Sequence, residues 1–120
     1  MDSLLFAPAH ELATAIRQRH VSASEVVEAH LAQIARHNPT LNAIVTLDED
    51  SAKQRAQAAD VALAKGEVWG PLHGVPITLK DVHDTAGVRS TMGHGSLLTR
   101  IATEDSVSRS VESRRECACG

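Results

Sequence analysis

Apolar residues recur with helical spacing through the first third of the chain. Ala9, Leu12, Ala13 and Ile16 fall on one face, with Glu11, Arg17, Gln18 and Arg19 mostly opposite. The spacing predicts a short amphipathic helix ending near Arg19 or His20. Ser22 followed three residues later by Glu25 has the form of a capping box, which satisfies two orphan amides of a first helical turn. Val27, Leu31 and Ile34 continue from it as the stripe of a second helix, which Asn38-Pro39 is expected to stop. From Leu41 to Leu47 the pattern switches to period two, with Leu41, Ala43, Val45 and Leu47 pointing one way and Asn42, Ile44 and Thr46 the other. That alternation predicts a strand. Asp48 then caps a third helix whose narrow apolar face is Ala52, Ala56, Ala59 and Leu63, closed by Gly66 in the left-handed position. After the Trp69-Gly-Pro loop, Val75–Leu79 is a second strand candidate. Beyond Lys80 the chain is punctuated by Asp84, Gly87, Gly93 and Gly95 and predicts loop. From Thr103 the sequence turns rich in Ser, Arg and Glu, with Val107 and Val111 as the spaced apolar residues.

Length and composition narrow the picture. The 120 residues suffice for one domain, and a net charge of −3 with mixed charges in the tail excludes a nucleic-acid arm. Phe6 and Trp69 are the only Phe, Trp or Tyr residues, so a core of Ala, Leu, Val and Ile lacks large rings, and alanine-rich helices bury little area each. The opening MDSLLFAPAHELA lacks a basic n-region and its apolar stretch is broken by Pro8 and His10, so it predicts neither a secretory signal nor a membrane span. Cys117 and Cys119, one residue apart, are too close for an unstrained disulfide, and two thiols without a neighbouring His make a poor metal site. The expected compartment is the cytoplasm.

The candidate chemistry centres on Lys80. Seven histidines invite a metal reading, but His10, His20, His30 and His37 lack the i, i+4 pairing that puts two imidazoles on one helix face. His73, His83 and His94 lie in loops around Lys80 and would converge only by folding. Gly93-His-Gly-Ser96 does not meet Gly-x-Ser-x-Gly, and no phosphate loop is present. No cofactor or metal is predicted. Lys80 ends a run in which Val75, Ile77, Thr78 and Leu79 suggest a buried strand. Two readings stand. The lysine snorkels out of a strand end, or its amine is held in an apolar setting, where lost hydration disfavours the charged form and leaves a base.

The segment GPLHGVPITLKDVHDTAG (70–87) resembles the N-terminal signature of the amidase signature family, which runs Gly-Pro-Leu-x-Gly-x-Pro, an apolar strand and Lys-Asp. The upstream order of helices and NPTLNAIVTLD is similar, so the resemblance covers about residues 9–102. It implies an α/β fold of which this chain is an N-terminal fragment, about three helices and two strands followed by a divergent tail. It also implies hydrolysis of a small carboxylic amide by a Ser-Ser-Lys triad, with Lys80 as the catalytic base, buried and neutral. Both serines of such a triad lie in a Gly-Gly-Ser-Ser-Gly-Gly motif that this sequence lacks, and neither Ser90 nor Ser96 sits in that context.

Where family sequences pass from Glu104-Asp-Ser-Val107 into an apolar helix, this chain has RSVESRRECACG. The expectation is a truncated or frame-shifted product, with residues 1–102 the N-terminal portion of an amidase-signature domain and 103–120 a loosely packed tail. It is expected to be inactive alone, with exposed apolar faces available for association. The alternatives are a small helical binding module, or the complementing part of a split amidase or of the amidotransferase subunit that forms glutaminyl-tRNA.

Overall fold

The computed structural model describes residues 2–107 and 118–119. Three helices form its body. A four-residue α1 (Asp2–Leu5) leads into α2 (Ala9–Arg17), α3 (Ala23–Leu41) and α4 (Glu49–Ala64). No described helix is long and apolar enough to cross a membrane.

The start of α3 is doubly tied. Ser22 and Glu25 form the capping box, with the Ser22 amide donating to Glu25 Oε2 at 2.8 Å and the Glu25 amide to Ser22 Oγ at 3.1 Å. Asp60 of α4 adds a second cap from across the interface. Its carboxylate accepts from the Ala23 amide at 2.7 Å, the Ser24 amide at 3.0 Å and the Ser24 hydroxyl at 2.6 Å. A carboxylate at a helix N-terminus also meets the positive end of the helix dipole.

Two apolar clusters flank α3. On one side Leu12, Ala13 and Ile16 of α2 pack with Val21, Val26 and Val75. On the other, Ala52, Ala56 and Ala59 of α4 pack on Ala23 and Val27, with Leu31 and Trp69 at the margin. The predicted alanine stripe is therefore a helix–helix seam, where small side chains let backbones approach.

Three expectations are corrected. The helix predicted to run to Arg19 or His20 closes at Arg17, with Arg19 left-handed at φ 58°. The next helix does not stop at Asn38-Pro39 but runs to Leu41, with Pro39 in its last turn and a left-handed Asn42 as its cap. A proline there forfeits one hydrogen bond, and the Asn42 amide, donating to the Asn38 carbonyl at 2.7 Å, closes the turn beyond it. Leu41–Leu47 is not a strand: Leu41 ends α3, and no described strand pairs with residues 43–47. The Asn38 side chain instead clasps Ile44, accepting from its amide at 2.8 Å and donating to its carbonyl at 2.9 Å. Pairing is supplied by neighbours, and a period-two pattern without one stays an unpaired segment.

The second strand is shorter than expected. Strand β1 comprises Pro76–Ile77 and pairs in parallel with β2, Ala118–Cys119, in register Pro76 with Ala118 and Ile77 with Cys119. Downstream, Arg89 and Ile101 form an antiparallel bridge, and a single 3-10 turn covers Gly95–Leu97. In the tail, Val107 is exposed. Val111 and Cys117 lie outside the described residues.

Candidate functional site

The Gly70–Val75 segment is a docking device. His73 is fully buried, and its Nδ1 accepts from the Trp69 amide at 3.0 Å. With that nitrogen accepting, Nε2 carries the hydrogen and donates to the Ala59 carbonyl at 2.9 Å. One ring thereby ties the loop to α4. The Trp69 ring lies 5.1 Å from that imidazole, and the Arg55 guanidinium sits 4.1 Å from the Trp69 ring centre. Gly74 has φ +77°, and a Cβ there would stand 2.8 Å from Ala23 Cβ and 3.3 Å from Ile16 Cγ2. Only glycine fits both the turn and the approach to α2 and α3. Val75 then plugs into the α2 cluster.

From this anchor the chain runs through β1 to Lys80. Lys80 lies three residues beyond the end of β1 and is exposed. The described residues do not supply the burial implied by the resemblance. Lys80 lines a cavity of about 660 Å³. The same cavity is bounded by Val27, Leu31 and Ile34 of α3, by residues 43–48, by Pro76–Leu79, and by His83 and Ser90.

Asp81 holds this region in place. Its carboxylate accepts from the Thr91 hydroxyl and, at 3.0 Å, from the Thr91 amide, while its carbonyl accepts from the Met92 amide at 3.0 Å. The hydroxyl and amide of Thr91, helped by Arg89 and the Gly93 amide, hold the Asp81 carboxyl below its usual range against the opposing effect of burial. Thr91 is buried, and Ser90 is 2% exposed with its amide donating to the Arg100 carbonyl at 3.2 Å. Arg100 in turn grips Asp84 in a two-pronged pair at 2.7 and 2.8 Å, which lowers the Asp84 carboxyl. The turn after Lys80 and the 88–91 segment are thus bound into one unit.

The loop histidines do not converge. His73 is turned into α4, His83 lies on the cavity wall and His94 is exposed beside the 3-10 turn. Asp81, Ser90 and Thr91 carried no role in the sequence reading. The pairing of Asp81 with a Ser-Thr turn ten residues later leaves no periodic signal, although the Lys-Asp doublet itself marks the place.

The Amidase family model matches residues 25–111. The A subunit of the glutamyl-tRNA(Gln) amidotransferase of Acidothermus cellulolyticus is 47% identical over 93 residues, 78% of this chain and 18% of that one. The acylamidase of Rhodococcus erythropolis is 33% identical over 106 residues, 88% of this chain and 22% of that one. The chain spans about a fifth of the length of these curated relatives. A solved bacterial aryl acylamidase of the amidase signature family superposes with a TM-score of 0.89 at 28% identity, covering 95% of this chain and 24% of that one. Three helices and little strand fit a fragment of that α/β fold.

Proposed function

This chain belongs to the amidase family, and we propose that it supplies the general-base lysine, Lys80, of a centre that hydrolyses linear carboxylic amides. The observation that supports this reading is the route to Lys80. A loop clamped by His73 and Gly74 delivers an extended run to a cavity wall, and Asp81 pins the next residue to the Thr91 turn.

In the proposed reaction the Lys80 amine takes the proton of a serine nucleophile through a bridging serine. The serine oxygen bonds to the amide carbon, the C–N bond breaks, and the leaving amine carries the proton away. Water then releases the acid from the acyl-serine. The two serines belong to a Gly/Ser-rich motif absent from these 120 residues, so the centre is complete only when that motif is joined to this chain.

The test is a chimera in which this chain replaces the matched region of the Rhodococcus acylamidase. Hydrolysis of simple aryl and alkyl amides is expected, falling by about a thousandfold or more in Lys80→Ala and staying lost in Lys80→Arg, whose guanidinium does not give up its proton. Activity retained in Lys80→Ala would overturn the assignment.

A further inference from the structure

The bonds around Lys80 fix its backbone and leave its amine untethered. The Lys80 carbonyl accepts from the His83 amide at 3.0 Å, closing a turn, and the Asp81 carbonyl accepts from the Met92 amide at 3.0 Å. Among the described residues no hydrogen bond or ion pair holds the Lys80 amine. Its reach is therefore set by whatever frames residues 80 and 81. That frame is the turn at Thr91. The Thr91 hydroxyl accepts from the Gly93 amide at 3.3 Å and donates to Asp81 Oδ2, while the Thr91 amide donates to Asp81 Oδ1 at 3.0 Å. Met92 follows in the left-handed region at φ 51° and Gly93 at φ 74°. A left-handed methionine is strained, and such strain persists only where surrounding bonds over-determine it. Here the Met92 amide and the Thr91 side chain both spend their bonds on Asp81. Behind the turn, the Ser90 amide donates to the Arg100 carbonyl at 3.2 Å, and Arg100 Nη1 donates to the Ser90 carbonyl at 3.3 Å while gripping Asp84.

We propose that Asp81 and Thr91 are positioning residues for Lys80, a carboxylate–threonine lock that sets the direction from which the amine meets the serine it deprotonates. The proposal rests on Lys80 being the general base of the amide hydrolysis above, and it assigns the lock an effect on rate and not on substrate affinity. Proton transfer needs the amine within about 2.6–3.2 Å of the hydroxyl, and a misplacement of ~1 Å costs roughly a hundredfold. The amine ends a flexible four-carbon stem, so a small rotation of the Lys80 backbone is multiplied at its tip. Both Asp81 oxygens are occupied by Thr91, so Asp81 acts through Lys80 and does not itself touch the substrate.

The experiment is steady-state kinetics on the chimera with the Rhodococcus acylamidase, each variant being checked for folding by circular dichroism. Thr91→Val, which keeps the shape and the amide but loses the hydroxyl, should lower kcat by about tenfold to a hundredfold with KM within about twofold. Thr91→Ser, which keeps the hydroxyl, should recover most of that rate. In a Lys80→Ala background Thr91→Val should cost less than about twofold of the residual rate, because a positioning residue has nothing left to position. If Thr91→Val does not fold, Asp81→Glu, which keeps the charge and lengthens the tether by one methylene, carries the same three expectations. Unchanged kcat, a loss in KM alone, or a loss of equal size with and without Lys80 would overturn the proposal. Activity retained in Lys80→Ala removes the base assignment and the lock's role with it. Activity lost in Lys80→Ala but untouched by Thr91→Val removes the positioning role and leaves the base.

Discussion

Replacing Gly74 by alanine tests whether the signature loop is built for close approach. Two penalties add. At φ +77° an L-residue is strained by roughly 1–2 kcal/mol. The new Cβ would also stand 2.8 Å from Ala23 Cβ and 3.3 Å from Ile16 Cγ2, well inside the ~3.5–4.0 Å of favourable carbon contact. Neither neighbour can give way. Ile16 is fully buried, and the Ala23 amide is held by Asp60 at 2.7 Å. Overpacking of this kind costs about 1–3 kcal/mol, so the total expected for Gly74→Ala is about 2–5 kcal/mol. Gly66 is an internal control. It has φ +81° with nothing within 4 Å of where a methyl would stand, so Gly66→Ala should carry only the conformational cost of roughly 1–2 kcal/mol. Urea unfolding followed by circular dichroism and by the fluorescence of Trp69, the single tryptophan, gives both values. Ala23→Gly in the Gly74→Ala background should restore about 1–3 kcal/mol through the vacated methyl, read as a coupling in a double-mutant cycle. Equal losses at Gly74 and Gly66, or no coupling with Ala23, would refute the steric argument.

Three further outcomes are expected. Asp60→Ala should destabilise the chain by about 2–3 kcal/mol, because it orphans two amides and a hydroxyl at the start of α3; denaturant midpoints measure this, and a loss no larger than that of an exposed substitution such as Gln57→Ala would contradict it. Asp81 and Asp84 titrate below their unfolded values, so their stabilisation is complete above the ordinary carboxylate range near ~4 and fades as pH falls through the lower folded values. The stability gap between the native chain and Asp81→Asn should therefore be largest near neutrality and close in acid, and a gap that widens on acidification would show the sign to be wrong. The chain by itself should hydrolyse no simple amide, since Lys80 is exposed and the Gly/Ser-rich motif is absent; turnover that disappears in Lys80→Ala would mean that a serine of this chain acts as nucleophile.

Local rules account for what could be read along the chain. The Ser22–Glu25 capping box and the left-handed Gly66 need only a few neighbouring residues, and both occur as the pattern predicts. The alanine stripe of α4 follows from helical period alone, and the signature around Lys80 carries the family without any knowledge of contacts. What the tertiary structure decided involves partners far apart in the chain. Asp60 caps a helix that begins 37 residues earlier, and His73 spans 14 residues to α4. Gly74 is explained by a methyl on α3, and Asp81 by a turn ten residues on. Strand formation belongs to the same class. Leu41–Leu47 has the right alternation, yet a strand exists only where another backbone lies about 4.8 Å away, and among the described residues none does. The exposure of Lys80 has the same origin, because burial is a property of the covering layer and not of the residue that is covered.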